Sequence, residues 1–188
     1  MTPPEVEPDP LEIARSLAGQ RLLVSGATGF IGKVLVEKLL WSVPEVGELV
    51  LLLRPRRGDS VEERVRREIL DSPVMARLRA RHQAGWEEWA RSKLRVVEGD
   101  LATERLGLDA SAWQGLAQRI DRVVSCAASV TFDERVYRAT STNVRGAVRL
   151  LELARAAGDV PLLHLSPCFV SGRSSATTQA SAGDFGFD

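Results

Sequence analysis

Three regularly spaced glycines form the pattern in this sequence that is best suited to chemistry. Gly26, Gly29 and Gly32 follow the apolar run Arg21–Ser25 and open a segment with apolar residues at helical spacing. Glycines in a strand-to-helix turn let the backbone approach a pyrophosphate, and the first helical turn offers free N–H groups. A glycine-rich turn without a ligand is the alternative. Because the glycines lie between the first strand and the first helix, the pattern favours nucleotide binding.

An arginine ends the second apolar run, Glu48–Leu53. In dinucleotide-binding folds an acidic residue about 20 residues after the glycines binds the ribose 2′-hydroxyl of NAD, whereas an arginine accommodates the 2′-phosphate of NADP. Arg54 occupies this position, Arg57 follows it, and the first acid is Asp59. The pattern predicts NADPH as cofactor, with Arg54 and Arg57 at the phosphate. A solvated basic turn is the alternative.

These groups need a framework, and apolar runs that alternate with helical patterns provide one. The predicted strands are Arg21–Ser25, Glu48–Leu53, Arg95–Glu98, Arg122–Cys126 and Pro161–Leu165. Helices are predicted around 32–41, 110–118 and 134–157, after a short amphipathic helix at 11–17. Near-continuous apolar strands between helices are typical of a parallel sheet covered on both faces. We predict an α/β, Rossmann-like doubly wound parallel sheet of strand order 3-2-1-4-5, incomplete at its C-terminal side.

The connection from the second to the third strand is longer than one crossover needs. Ser60 and Glu63 match a capping box, S-x-x-E, that opens a helix to about Leu70. Ser72-Pro73 restarts a second helix, and Trp86–Trp89 lies on a third.

Length and composition limit the class of protein. The 188 residues carry no net charge and are 44% hydrophobic, which fits one domain and gives no support for nucleic-acid binding. No apolar stretch of about 18 residues predicts a transmembrane helix. The acidic, proline-rich start is unlike a signal peptide, so we expect a cytoplasmic protein. Cys126 and Cys168 are predicted to be buried thiols, and no metal site is expected.

Four segments together resemble one family. GATGFIGKVLVEKLL, LLLRPRRGDSVEERV, VVEGDL and CAASVTFDE are similar to segments of the fatty acyl-CoA reductases, which are extended short-chain dehydrogenases with a male-sterility-type NAD(P)-binding domain. The resemblance runs from about Gln20 to Gly172. It implies NADPH-dependent reduction of fatty acyl-CoA thioesters to fatty alcohol or aldehyde, with this chain supplying the cofactor-binding part. The alternatives are a thioester-reductase domain like that of carboxylic acid reductases and a non-catalytic dinucleotide-binding module.

The resemblance also implies how the chain is divided and where the cofactor lies. It predicts a leader with a short helix at 1–19, an NAD(P)-binding Rossmann domain at 20–172 and a flexible tail at 173–188. The residues implied at the cofactor are Thr28, Gly29, Phe30 and Ile31 at the pyrophosphate, Arg54 at the 2′-phosphate, Asp100 and Leu101 at the adenine, and Cys126, Ala127 and Ala128 beneath the nicotinamide ribose. Turn capping by Asp100 and simple close packing of the two alanines are the alternatives.

Asn143 and Ser166 are the catalytic candidates. Asn143 lies in a predicted helix interior, where its amide competes for backbone hydrogen bonds, and it matches the family asparagine that holds a water in the proton relay. An exposed helical asparagine is the alternative. The hydroxyl residue that the family has after the fifth strand falls on Pro167. Ser166 is one position early, and on a strand its side chain tends to point to the opposite face.

The family's Tyr-x-x-x-Lys pair has no match in this sequence. Tyr137 is followed four residues later by Ser141, and no lysine follows Lys93. The histidines do not replace the pair, since His82 lies in the polar insert and His164 is predicted to pack within the fifth strand. We therefore expect the chain to be inactive alone, and we expect self-association through the uncovered side of the sheet.

Overall fold

Five parallel strands form one sheet in the computed structural model, which describes residues 10–56, 58–131 and 133–166. The strands are β1 (Arg21–Ser25), β2 (Glu48–Leu53), β3 (Leu94–Glu98), β4 (Arg122–Ser125) and β5 (Leu162–His164). Their order in the sheet is β3-β2-β1-β4-β5. The predicted topology is confirmed. Arg57, Pro167 and Cys168 lie outside the described residues, as does the predicted tail.

Helices connect the strands and cover both faces of the sheet. The α-helices are α1 (Pro10–Leu17), α2 (Phe30–Ser42), α3 (Val61–Val65), α4 (Ala76–His82), α5 (Trp86–Lys93), α6 (Ala110–Ala117), α7 (Val136–Ala139) and α8 (Gly146–Ala156). Wider π-helical turns extend α3 through Arg66–Leu70 and join α7 to α8 through Thr140–Arg145, and short 3₁₀ turns span Pro73–Met75, Gln83–Gly85 and Glu104–Gly107.

Alternating side chains of the central strand fill two cores. Leu22 and Val24 pack with α2 and the helices of the β2–β3 insert, whereas Leu23 packs on the opposite face with α6 and α8. All three side chains are almost completely buried. This two-sided burial is the physical reason for a nearly continuous apolar strand. Because every strand pair is parallel, the carboxyl ends of the strands emerge together at one edge between the two helical layers.

The predicted capping box is present at the start of the insert. The Ser60 hydroxyl accepts a hydrogen bond from the Glu63 amide at 3.1 Å, and the Glu63 carboxylate accepts one from the Ser60 amide at 3.2 Å. These bonds satisfy two N–H groups that would otherwise lack partners, so they start α3 directly after the turn at the end of β2.

An ion pair attaches the insert to the first crossover helix. Glu37 on α2 is buried and accepts two hydrogen bonds from the guanidinium of Arg77 on α4. The same guanidinium lies 4.3 Å from the ring centroid of Trp41. The charge of Glu37 is therefore compensated at the contact between α2 and α4.

A second ion pair links the outer ends of β1 and β4, and it predicts a pH dependence of stability. The Arg21 guanidinium donates to Asp121 at 2.8 and 3.0 Å, and the Arg21 amide donates to it at 2.8 Å. These hydrogen bonds outweigh desolvation and hold the pKa of Asp121 below its ordinary value of 3.8. Because the folded-state pKa is lowered, the stabilisation is present above the unfolded-state value and is lost as the pH falls through the folded-state value.

Asp121→Asn is therefore expected to lower the free energy of unfolding by roughly 1 kcal/mol at pH 7, with a difference that shrinks below about pH 4. Urea unfolding at pH 7 and pH 3 measures both values, and Glu45→Gln, a change at an exposed acid elsewhere, is the control. A difference from the unmutated chain that is the same at both pH values would contradict the assignment.

None of the helices that the structure describes combines the length and apolar character needed to cross a bilayer.

Candidate functional site

The glycine loop is packed directly against the end of β4. Gly26 has φ +74°, and a Cβ added to it would lie 2.6 Å from the backbone nitrogen of Ala127. A Cβ on Gly32 would lie 2.1 Å from the carbonyl oxygen of Gly26. Neither distance is sterically allowed, so both positions require glycine. The backbone of the loop is thereby held at the point where the sheet reverses its direction of winding, between β1 and β4.

The N-terminus of α2 is open to an anion. Gly29 is its N-cap residue and has no side chain to bond the first N–H groups, and no acidic side chain lies in the first turn. Free N–H groups and the positive end of the helix dipole favour a bound phosphate. Phe30 and Ile31 occupy this first turn with 83% and 56% of their surfaces exposed. Their contact with the pyrophosphate stays a prediction, and the main-chain N–H groups of this turn would make it.

A cleft of about 510 Å³ opens at the carboxyl ends of the strands. It is lined by residues from the glycine loop and from the segments after β2, β3 and β4, namely Ser25, Gly26, Thr28, Gly29, Leu52, Leu53, Arg54, Arg64, Gly99, Asp100, Leu101, Cys126, Ala127, Ala128, Ser129, Val130, Thr131, Glu134 and Thr142. Nine of the predicted cofactor residues are in this lining. Phe30, Ile31 and Gly32 lie beyond it on α2, and Asn143 and Ser166 do not line it.

Asp100 both caps a turn and faces the cleft. Its Oδ1 accepts a hydrogen bond from the amide of Ala102 at 2.9 Å, which is the turn-capping role considered as the alternative. The side chain nevertheless lines the cleft beside Leu101, which is buried. Leu101 packs closely against Gly146 at the start of α8, where an added Cβ would lie 3.0 Å from the Leu101 Cβ. The segment after β3 is therefore firmly placed.

Two arginines stand at the β2 side of the cleft, and the sequence analysis identified only one of them. Arg54 is exposed, while Arg64 on α3 is buried and donates a hydrogen bond to the Arg54 carbonyl. Arg64 also pairs with Glu68 at 3.3 Å and lowers the pKa of that carboxyl. Arg64 lies ten residues beyond Arg54, and only the fold of the insert brings them together. The sequence feature that could have indicated Arg64 was its position directly after the Ser60–Glu63 capping box, on the helix that follows β2.

Cys126 is half-buried rather than buried, which corrects the prediction for this thiol. β4 ends at Ser125, one residue earlier than predicted, so Cys126 leaves the sheet and lies at the cleft. Partial burial still raises the pKa of the thiol above its ordinary value of 9.0. The thiol therefore stays protonated near neutral pH and is a poor nucleophile.

Asn143 binds the backbone of the loop after β4. Its Oδ1 accepts a hydrogen bond from the Ser129 amide at 2.7 Å, and its Nδ2 donates to the Ser129 carbonyl at 3.0 Å. The side chain is half-buried, so the exposed helical asparagine considered as the alternative is wrong. The π-helical turn around Asn143 explains how a residue that disfavours helix interiors is accommodated. Its role in holding a water stays a prediction.

His164 is exposed, contrary to the prediction that it packs within the fifth strand. β5 is the edge strand of the described sheet, so its outer side lacks a neighbour there. The His164 Nδ1 lies 3.0 Å from the hydroxyl of Ser125, which is its register partner on β4. Ser166 follows β5 and is also exposed. The described residues thus bring no hydroxyl from the fifth strand into the cleft.

A family model described as Male sterility protein, an NAD-binding domain, matches residues 24–184. The chain belongs to this family. The match includes the glycine loop and all the strands except the first three residues of β1. The cofactor class of this Male sterility domain is accordingly a nicotinamide dinucleotide. The close contacts of the glycines and the open N-terminus of α2 fit the pyrophosphate of such a cofactor.

Curated relatives of this Male sterility domain are named fatty acyl-CoA reductases. Fatty acyl-CoA reductase 2, chloroplastic, of Arabidopsis thaliana is 32% identical over 87% of this chain, and fatty acyl-CoA reductase 1 of Gallus gallus is 35% identical over 80% of it. The matched parts cover 27% and 28% of those proteins. The chain therefore spans less than a third of the length of either relative.

Solved structures share the fold of the family. The reductase domain of a non-ribosomal peptide synthetase from Mycobacterium tuberculosis is 28% identical, with a TM-score of 0.65 over 89% of this chain and 39% of its own. The Bordetella bronchiseptica enzyme WbmG, solved in complex with NAD, has a TM-score of 0.53 at 23% identity and covers 84% of this chain and 40% of its own. WbmG supports the fold alone, whereas the reductase domain and the curated relatives support a reductase-type NAD(P)-binding function.

Proposed function

We propose that this chain is the NADPH-binding part of a reductase that acts on fatty acyl-CoA thioesters and forms a fatty aldehyde or alcohol. The observation that carries the proposal is the cleft, which joins the glycine loop to Arg54 and Arg64 on one side and to the segment after β4 on the other. The names of the curated relatives supply the substrate class. Residues 20–172 are the proposed domain, with a leader before it and a tail after it.

The cofactor is proposed to lie across the end of β1. The adenosine would contact Asp100 and Leu101, the pyrophosphate would contact the loop from Thr28 onward, and the nicotinamide nucleoside would lie above Ala127 and Ala128. When bound, the cofactor supplies the hydride. The protein's own part is to hold the two ends of the cofactor and to keep a small, close-packed surface beneath the reacting ring.

Arg54 is the proposed ligand of the 2′-phosphate, and Arg64 supports it. An exposed guanidinium keeps its hydrogen-bond donors available, whereas Arg64 uses donors on Glu68 and on the Arg54 carbonyl. Arg64 therefore fixes the backbone from which Arg54 extends and adds positive charge to the same end of the cleft. Arg57, outside the described residues, remains a proposed further contact.

A thioester reductase that takes its acyl group from a carrier domain is the second candidate. The Mycobacterium tuberculosis reductase domain matches 89% of this chain at 28% identity, which favours a shared thioester chemistry without deciding the acyl carrier. Supplying the full-length reductase with an acyl-CoA and, separately, with the same acyl group on a carrier protein would discriminate the two candidates.

The cofactor assignment predicts a preference for NADPH over NADH of about tenfold to a hundredfold, because a hydrogen bond to a charged group contributes roughly 1.5–3 kcal/mol. Arg54→Glu is expected to remove or reverse this preference, since a carboxylate repels the 2′-phosphate. Isothermal titration calorimetry of the unmutated chain and of Arg54→Glu with each cofactor measures the ratio of the two affinities.

Arg56→Glu is the matched control, because Arg56 is exposed on the same turn and does not line the cleft. It should keep most of the preference. Equal affinity of the unmutated chain for NADPH and NADH would refute the role of Arg54.

A further inference from the structure

A hydrogen-bonded carboxylate, that of Glu134, also lines the cleft. Glu134 is half-buried there, and its Oε2 accepts a hydrogen bond from the Ser129 hydroxyl. The Glu134 amide also donates to the Thr131 carbonyl at 3.2 Å, which closes the turn between them. Glu134 is the last residue of the segment CAASVTFDE, and the sequence analysis assigned its side chain no role.

Asn143 holds this carboxylate in place through Ser129. The two hydrogen bonds between the Asn143 amide and the Ser129 backbone fix the residue whose hydroxyl bonds Glu134. The hydrogen bonds thus run from the Asn143 side chain in the π-helical turn before α8, through the Ser129 backbone and hydroxyl, to the Glu134 carboxylate at the cleft. Such a network restricts the position of the carboxylate in a way that a solvated surface glutamate would lack.

The place of Glu134 in the cleft selects one part of the cofactor. β2 and β4 flank β1, and at roughly 4.7–4.9 Å per strand their ends lie about 10 Å apart. Arg54 directly follows β2. Glu134 lies nine residues after β4, and its bond to Ser129, four residues after that strand, ties it to the β4 side. When the 2′-phosphate lies at Arg54 and the pyrophosphate at the glycine loop, the nicotinamide nucleoside is the part that reaches the β4 side.

The chemistry of a carboxylate agrees with this placement. An ionised carboxylate accepts hydrogen bonds and donates none, and among the residues that the structure describes the Glu134 Oε1 has no hydrogen-bond donor. Phosphate groups would be repelled by it, but the nicotinamide nucleoside carries neutral O–H and N–H donors. A carboxylate held at this end is therefore complementary to the nucleoside and not to the rest of the cofactor.

We propose that Glu134 is a cofactor-binding residue that accepts a hydrogen bond from an O–H or N–H group of the nicotinamide nucleoside, and that Ser129 and Asn143 are its positioning residues. This inference rests on the proposed binding of NADPH. It adds a specific contact at the end of the cleft where Ala127 and Ala128 offer only small apolar side chains.

The test compares two ligands on the full 188-residue chain. NADPH carries the nicotinamide nucleoside, whereas adenosine 2′,5′-bisphosphate carries only the adenosine end and its 2′-phosphate. Glu134→Ala is expected to weaken the binding of NADPH about tenfold or more and to change the affinity for the bisphosphate by less than about twofold. Calorimetry measures both affinities. Glu134→Gln keeps a neutral acceptor and should recover part of the loss.

Asp133→Asn is the matched control, since it removes an exposed acid one residue away and should change neither affinity. Melting temperatures monitored by circular dichroism establish that each variant is folded. Ser129→Ala should lower the affinity for NADPH about threefold in the otherwise unmutated chain. Because Ser129 acts through Glu134, the same substitution should not lower the affinity further in the Glu134→Ala variant.

Different results overturn different claims. Unchanged NADPH affinity in folded Glu134→Ala, or an equal loss of both ligands, would overturn the role of Glu134. An undiminished effect of Ser129→Ala in the Glu134→Ala background would overturn the positioning role of Ser129. Failure of the unmutated chain to bind either ligand would overturn the proposed function, and this inference with it.

Discussion

The 188-residue chain is expected to show no acyl-CoA-dependent oxidation of NADPH above background. Hydride delivery to a thioester places negative charge on the carbonyl oxygen, which a proton donor or fixed hydrogen bonds must stabilise. The single tyrosine, Tyr137, is 60% exposed, does not line the cleft and has no lysine four residues after it. General acid catalysis alone typically contributes roughly 10²–10⁴-fold, so its loss is measurable in a spectrophotometric assay.

The assay has two arms. One is the chain itself, and the other carries Pro167→Thr and is extended by a C-terminal half from a fatty acyl-CoA reductase. Turnover only in the extended protein would support a cofactor-binding part of a larger reductase over a non-catalytic binding module. Robust turnover by the 188-residue chain would show that the active site has been misplaced.

Gly32→Ala is expected to abolish measurable NADPH binding and to destabilise the fold by about 1–3 kcal/mol, the usual range for overpacking. The new Cβ would lie 2.1 Å from the Gly26 carbonyl oxygen and 2.9 Å from the Ala27 Cα. Both are backbone atoms, so no side-chain rotation relieves the clash. The start of α2 must move away from β1, which displaces the N–H groups proposed for the pyrophosphate.

Gly115→Ala in α6 is the matched control for this substitution. No atom lies within 4 Å of a Cβ added there, and alanine is preferred over glycine in a helix by about 0.5–1 kcal/mol. It should leave NADPH affinity unchanged and raise the free energy of unfolding. Calorimetry and urea unfolding of the two variants make the comparison, and retained NADPH affinity in Gly32→Ala would contradict the loop assignment.

The site was only partly accessible to sequence reasoning. The glycine loop and Arg54 were predicted because each directly follows an apolar strand, and parallel strands end at one edge of the sheet. Asp100 and the segment after β4 were predicted only through the family resemblance. Arg64 and Glu134 were missed because neither directly follows a strand: Arg64 lies within α3, and Glu134 closes a turn nine residues after β4. Their arrival in the cleft depends on how the insert and the post-β4 loop fold back.

The sequence by itself determined the family resemblance, the strand order and the glycine loop, since apolar periodicity and right-handed crossovers act locally along the chain. Only the tertiary structure decided the burial and the hydrogen-bond partners of the side chains around the site. Cys126 is half-buried because β4 ends before it, and His164 is exposed because β5 is the edge strand of the described sheet. Asn143 bonds the backbone of Ser129, fourteen residues away in the loop after β4. Such properties arise from contacts between segments distant in sequence, which no local pattern encodes.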